Sequence, residues 1–373
     1  MTRISYVADV HIGNHRKHGG AVVAGMNKRC RDVVAALDRA ATWSAEQEVD
    51  AFVVCGDLFD TARPTPQMIA AAQQVLAKVP AVVEVGNHDK SSTEEGDHAL
   101  APLDPVATIV EQPQVISIGD DVDLICVPFM PGAAVSWFES TIADLIVKEA
   151  RGMGQQRLLA FHLGVEDHHT PSYLRGAPDS IKLKVVEQVM KTHGIVYAFA
   201  GNWHEHHHWY VIDGKCGVVQ VGTLAPTGWD NGGPEGYGLV AMFDTEARPH
   251  VTLKQIPGPR FLTVRGPTAA DTIVKSTREE GNDVYVKWRT DIKGERTARE
   301  ELQEWQDAGL IEGWEVSVED EEAEEAARVA AKSARKAETM AEALAKFVAE
   351  MPLDEGVDRN EVLSRAQGYL GGV

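Results

Sequence analysis

Five short stretches of this chain place carboxylate, imidazole or carboxamide side chains directly after an apolar run. They are Asp9-Val10-His11, Gly56-Asp57, Gly86-Asn87-His88-Asp89, His162, and the loop Gly201-Asn202-Trp203-His204-Glu205-His206-His207-His208. Such oxygen and nitrogen donors suit hard-to-borderline divalent cations (manganese, iron or zinc), whereas a soft site would use thiolates. A lone Asp-x-His is common, and an Asp after Gly often only caps a helix. Repetition of the pattern at several strand ends points instead to one metal centre. A buried carboxylate there is costly unless it meets a cation or another positive partner.

The elements that must position these groups are short. Ala51–Cys55 is apolar, rich in Val and Phe, and bounded by Asp50 and Gly56-Asp57, as expected of a buried strand in a parallel sheet. Ile4–Ala8, Ala81–Val85, Arg157–Phe161 and Ile195–Ala200 read the same way. Between them, Asn27–Glu46 carries a helical stripe at Val33, Val34, Leu37 and Ala41, and Pro64-Thr65-Pro66 opens a second helix over about Gln67–Ala77. This alternation predicts a layered α/β domain, in which ligands sit beyond the carboxyl ends of the strands. Further strands are expected at Gln114–Ile118, Asp123–Pro128, Gly217–Gly222 and Gly238–Phe243, and further helices at Ser136–Arg151 and Ser180–Thr192.

The pattern changes after Pro257-Gly258-Pro259. Phe261–Arg265, a helix near Ala269–Glu279, Asp283–Thr290 and a helix near Thr297–Ala308 predict a small β-α-β-α domain. A long Ala/Glu/Lys/Arg helix follows over Glu319–Met351. Asp358 then begins a last helix, with Glu361 completing a capping box. Two helices are too few for a core of their own, so this tail is expected to dock on the body or on a partner. The expected domains are therefore 1–258, 259–318 and 319–373.

The chain has 373 residues and a formal net charge of −20. Such a charge repels nucleic acid and anionic membranes at long range, although it leaves room for a phosphodiester bound at a local cationic site or on a basic partner. Cys30, Cys55, Cys126 and Cys216 are scattered without a Cys-x-x-Cys pair, which suits reduced thiols and a cytoplasmic setting. Met1-Thr2-Arg3 leads straight into a strand, so no signal peptide is expected. No apolar run approaches the roughly 20 residues of a membrane span.

The motifs D-x-H, G-D-x-x-D, G-N-H-D, a lone strand-end His and a late G-x-x-H resemble those of the calcineurin-like metallophosphoesterase superfamily, and they span about residues 9 to 208. GDLFDTARP is similar to the SbcD-type DNA-repair nucleases of bacteria and phages. The resemblance implies a four-layer sandwich of two mixed β-sheets flanked by helices, with a small α+β capping domain and a C-terminal helical tail. It implies that Asp9 and His11 hold a first metal with His204, that Asn87 and His162 hold a second, and that Asp57 bridges them. His88 would act on the scissile phosphate as the catalytic side chain, while Asp89 would orient it or cap a helix. Two ions, manganese first and magnesium, iron or zinc as alternatives, would serve phosphodiester hydrolysis. The implied activity is exonucleolytic 3′-to-5′ on duplex DNA and endonucleolytic on single strands or hairpins. The implied partners are DNA, an SbcC-like coiled-coil ATPase docking on the C-terminal helices, and a second copy of the chain, with no membrane. The implied place of action is the cytoplasm, that of the host if the chain is phage-encoded.

One departure stands out. The family's late motif is G-H-x-H, but here Asn202 follows Gly201. Either Asn202 replaces the first imidazole with an oxygen ligand, or the pair has slipped to His204 and His206, which an extended segment would present on one side. Arg63 and His15, the latter in the polar loop Asn14–His18, are candidates for contacting a nucleic-acid backbone. Trp229 is a candidate for base stacking or for ordinary packing. Two other functions fit the core motifs: hydrolysis of a small phosphodiester such as a cyclic nucleotide, or an architectural role with a weakened metal site.

Overall fold

Alternating side-chain direction along the apolar runs gives the central strands two buried faces, and two six-stranded sheets result. The computed structural model describes residues 2–318, apart from 93, 95, 131–134, 150–154, 172–173, 213–215, 227, 230–237, 246–249, 267–273, 276 and 279–281. The helical tail expected over 319–373 and most of the helix expected near Ala269–Glu279 lie outside the described residues. The chain divides into two units, 1–288 with 298–316 and 289–297 with 317–373. The packing and the site described below belong to the first.

The first sheet contains β1 (Arg3–Val7), β2 (Ala51–Val54), β3 (Ala81–Glu84), β4 (Ala107–Val110), β13 (Gly238–Asp244) and β14 (His250–Ile256), in the order β14-β13-β1-β2-β3-β4. β1 to β4 are parallel, and β13 and β14 close the edge antiparallel. The second contains β5 (Gln114–Ile118), β6 (Val122–Val127), β7 (Gln156–Phe161), β10 (Ile195–Ala200), β11 (His207–Val211) and β12 (Cys216–Gln220), in the order β11-β12-β10-β7-β6-β5. Its outer pairs are antiparallel and its inner ones parallel. β8 (Gly164–Glu166) and β9 (Ser180–Lys182) form a two-stranded parallel ribbon. β15 (Pro259–Val264), β16 (Asp283–Thr290) and β17 (Gly313–Val318) form a third sheet.

Helices cover the outer faces. On the first sheet, α1 (Lys28–Glu46) and α2 (Pro66–Leu76) bury Val33, Leu37, Met68 and Leu76 against Val7, Val54 and Val83. On the second, α3 (Val135–Lys148) and α4 (Leu183–His193) bury Ile142 and Val186 against Leu159 and Phe161. Between the sheets lies a core containing Ile4, Tyr6, Val53, Phe199 and Phe243, where Tyr6 and Phe199 stack with centroids 3.6 Å apart. The result is the expected four-layer sandwich. Caps fix the helix starts: Asn27 Oδ1 accepts from Cys30 N at 2.9 Å, and Thr65 Oγ1 from Met68 N at 3.3 Å ahead of Pro66. The span Ser180–Thr192, expected to be helical throughout, begins instead as β9, because β8 offers Ser180–Lys182 a ladder.

The third sheet, with α5 (Glu295–Asp307), contributes a separate small core around Val284, Val286, Trp288 and Leu302. Its link to the large sheets includes the fully buried Arg29, which donates to Pro226 O at 3.0 Å. The Arg29 guanidinium lies over the rings of Phe261 (4.5 Å) and Tyr285 (5.0 Å), which offset its desolvation. Among the described residues no helix is long and apolar enough to cross a membrane.

Candidate metal centre

β1, β2 and β3 are neighbours in parallel register, Val7 beside Val54 and Val54 beside Val83, so their three following loops emerge together. In the other sheet Phe161 of β7 pairs with Ala200 of β10, which sets His162 and Gly201 level. The two sheets meet at this edge. Leu224 N donates to Ala8 O at 3.2 Å, and His162 Nδ1 lies 2.7 Å from Cys55 O.

The loops turn sharply. Asp9, His11, Asp57 and Asn202 all have left-handed backbones, with φ of 48°, 53°, 55° and 76°. Non-glycine residues hold this conformation at a cost of order 1–3 kcal/mol each, and such strain concentrates at functional sites. Backbone bonds enforce it: His11 N to Asp57 O at 3.0 Å and Ile12 N to Leu58 O at 2.9 Å run the first two loops side by side. Asp89 ties in the third. It begins no helix; its carboxylate accepts from Gly86 N (3.0 Å), Leu58 N (3.3 Å) and Phe59 N (2.9 Å). Two glycines are sterically required. A Cβ at Gly56 would lie 2.1 Å from His162 Nδ1, and one at Gly86 would lie 2.1 Å from Asp57 Oδ1.

Three groups of donor atoms result, each with its atoms within 4.8 Å of one another: Asp9, His11 and His204; Asp9, Asp57 and His162; and His11, Asp57 and His88. His11 Nε2 is 2.9 Å from His204 Nε2 and 3.8 Å from Asp57 Oδ2. His162 Nε2 is 2.9 Å from Asn87 Oδ1 and 3.4 Å from Asp57 Oδ2. With the Nδ1 proton given to Cys55 O, the Nε2 lone pair of a neutral His162 faces two more oxygen acceptors, which calls for a cation between them. Burial drags the His162 pKa down, but the Asp57 carboxylate holds it up at about 10. Burial also raises the Asp57 pKa, yet His162 outweighs it and the carboxyl stays well below the usual range.

Asp9 carries the sharpest sign of a missing partner. It is fully buried; Oδ1 accepts from Asn202 N at 3.0 Å, and Oδ2 has no hydrogen-bond partner. Burial raises its pKa to about 6. An orphaned carboxylate oxygen among convergent imidazole nitrogens fits a divalent cation.

The remaining sequence candidates fall into distinct places. His88 is at the rim, its side chain 44% exposed, edge-on to His11 with centroids 4.8 Å apart and with Nδ1 3.2 Å from Asp60 O. The structure brings Asn202 in by its backbone, while its side-chain amide donates to Asp179 O (2.9 Å) and Oδ2 (3.1 Å). His206 is turned to Val221 O through Nδ1 at 3.1 Å and joins none of the three donor groups. His15 is close by but inward-facing: Nε2 is 3.1 Å from His11 O, and the side chain is 11% exposed. Arg63 is exposed on the turn after Asp60, and none of the cluster's contacts involves it. Trp229 is packed, donating to Leu262 O at 3.2 Å and standing edge-on to Phe261.

Two carboxylates escaped sequence reasoning. Asp60 reaches His11 Nδ1 at 3.5 Å and the Nδ1 atoms of His15 and His88 at 4.0 Å each. Its signal was present as the second Asp of G-D-x-x-D. Asp179, which holds Asn202, lies in a loop with no motif around it.

The chain is 22% identical over 268 residues to the DNA double-strand break repair protein Mre11 of Methanosarcina mazei, covering 70% of this chain and 39% of that protein. The chain thus spans about two fifths of that relative's length. Among solved structures, a dimetal phosphatase from Danio rerio aligns with a TM-score of 0.42 at 13% identity, covering 68% of this chain and 96% of that one. The Pseudomonas putida nuclease MPE aligns with a TM-score of 0.23 at 18% identity, covering 44% and 64%. The calcineurin-like phosphoesterase family matches residues 2–207, a span that runs from β1 through every donor of the cluster, and the chain belongs to that family.

Proposed function

We propose that this chain is a metal-dependent phosphodiesterase that acts on DNA, working as the nuclease subunit beside a coiled-coil ATPase. One observation carries the hydrolytic reading: the donor group of Asp9, Asp57 and His162 shares Asp9 with one neighbouring group and Asp57 with the other, and a buried Asp9 oxygen has no hydrogen-bond partner. Asp9, His11 and His204 would hold one divalent cation, Asn87 and His162 another, with Asp57 between them. Bound there, the ions, manganese in the first instance, would supply Lewis-acid polarisation of a phosphodiester and an acidified water.

The chain's own groups do the rest. Asp60, at the rim, and the carbonyl of Cys55 orient His11 and His162. His88, at the exposed rim and steadied through Nδ1, keeps Nε2 for the substrate, where it can stabilise developing charge or protonate the leaving oxygen. DNA as substrate is supported by GDLFDTARP and by the relative named for double-strand break repair. On the same reading, residues 259–318 form a cap that helps hold DNA, the tail 319–373 docks on the ATPase, and the chain pairs with a second copy inside the cell.

The test is manganese-dependent cleavage of a 3′-labelled duplex by the wild type and by His88→Ala. The variant should keep its metal by elemental analysis and lose about 10²–10⁴-fold in rate. No bound metal in the wild type would overturn the hydrolytic reading. Two bound metals with hydrolysis of a cyclic nucleotide but not of DNA, even with the ATPase added, would move the substrate to small phosphodiesters. Truncation after residue 318 should abolish capture of the ATPase while preserving manganese-dependent hydrolysis of a small phosphodiester.

A further inference from the structure

Next to the donor cluster, a cleft of about 740 Å³ opens among the loop after β10, the β8–β9 connection and the start of β11. His204, whose Nε2 meets His11, also forms part of the cleft wall, so the two sites share a residue. Two tryptophans line the cleft, and both are held in place without a ligand. Trp203 rests on the backbone of β8: a Cβ at Gly164 would lie 2.1 Å from its Cε2, so only glycine leaves room for the indole. Trp209 donates its indole N–H to Asp167 Oδ2 at 3.0 Å and stacks with His207 at 5.2 Å and 23°. Such preset aromatic surfaces lose little freedom on binding.

The polar lining is equally informative. Among the described lining residues there is no lysine or arginine. The Asp167 carboxylate is occupied by Trp209 and by Thr170 N at 2.9 Å, and Glu205 lies 3.7 Å from His207. A phosphate would find no fixed cation here and would meet two carboxylates. A flat uncharged ring would find aromatic faces, which hold any base with little regard to sequence.

We propose that this cleft is a nucleobase subsite, in which the base of the nucleotide adjoining the scissile phosphate stacks on Trp203, with Trp209 and His207 as the second wall. The proposal rests on the phosphodiesterase reading above and sharpens it. The polymer is engaged as a phosphate at the donor cluster plus an unpaired base in the cleft.

The test compares ligands with and without a base. Binding of dAMP and of 2-deoxyribose 5-phosphate to the manganese-loaded full chain would be measured by calorimetry, for the wild type, Trp203→Phe and Trp203→Ala. In parallel, kcat/KM would be measured on an oligonucleotide and on its analogue with an abasic residue beside the scissile bond. The wild type should favour the base-bearing ligand by about tenfold or more. Trp203→Phe should retain most of that preference, and Trp203→Ala should lose it. Equal affinity of the wild type for the two ligands would overturn the subsite whatever the variants do. So would an undiminished preference in Trp203→Ala. Failure to hydrolyse either oligonucleotide would sink the nuclease reading instead, and the binding ratio would still decide the subsite.

Discussion

Asp60 escaped the sequence reading although its position is among the most consequential. A single carboxylate faces three imidazoles, those of His11, His15 and His88, while burial and His11 compete to set its charge. His11 wins, and the carboxyl sits below its usual range. A negative Asp60 in turn helps fix the His11 ring, so that Nε2 stays aimed at His204. Asp60→Asn keeps the shape and removes the charge. Metal affinity or hydrolysis should then fall about 10–100-fold, as for other groups that orient metal-binding histidines; wild-type values by calorimetry and kinetics would contradict this. Residue geometry also separates the two readings of the late motif. His204→Ala should reduce the metal stoichiometry by elemental analysis, whereas His206→Ala should leave it unchanged, because His206 is committed to Val221 O. Loss of metal from His206→Ala would restore the slipped pairing.

At the scale of elements, β3 brings a cost along with Asn87. Its last residue, Glu84, is fully buried between the sheets, accepting from Val127 N at 3.1 Å. Burial raises its pKa from 4.5 to about 8, against the pull of His162. A carboxyl with a raised folded-state pKa binds its proton more tightly folded than unfolded. Stability from this group is therefore full below about 4.5 and falls as pH rises towards 8. Glu84→Gln keeps an acceptor for Val127 N and has no charge to bury. Its melting temperature should fall less than the wild type's between pH 5 and pH 8.5; parallel curves would refute the assignment.

The same scale explains what the sequence did and did not disclose. β1, β2, β3, β7 and β10 were legible because each is buried on both faces and so reads as an unbroken apolar run ending in a polar cluster. That pattern also disclosed Asp9, His11, Asp57, Asn87, His88 and His162 as one edge. β11 and β14 were hidden because each is an edge strand with little burial, and His207-His208-Trp209-Tyr210 looks like a loop. β9 was read as helix because a three-residue strand is too short to show a period. Asp179 and the Trp203–Trp209 cleft depend on chain folding back over long separations, which no local pattern records.

For the whole molecule, the donor cluster is a joint between the two sheets. Asp9, His11, Asp57, Asn87 and His88 come from the first sheet, His162 and His204 from the second. Without cations, this joint gathers buried carboxylates and imidazoles: Asp9 is forced up to about 6 by burial, and His162 is held charged by Asp57. A chain with net charge −20 gains further from any cation it binds. Ions that bind the folded joint and not the open chain stabilise the fold by about 2.7 kcal/mol when supplied at a hundred times their dissociation constant. Removing metal with a chelator should therefore lower the melting temperature by a few degrees, and re-adding manganese should restore it. Hydrogen exchange should accelerate most in the loops after β1, β2 and β10, where the donors sit, and least along α1 and α4 on the outer faces. Asp57→Asn, which removes the carboxylate common to two of the three donor groups, should abolish most of the manganese-dependent gain. A melting temperature indifferent to both chelator and manganese would mean that the sheets are joined by packing alone and that the cluster holds no ion.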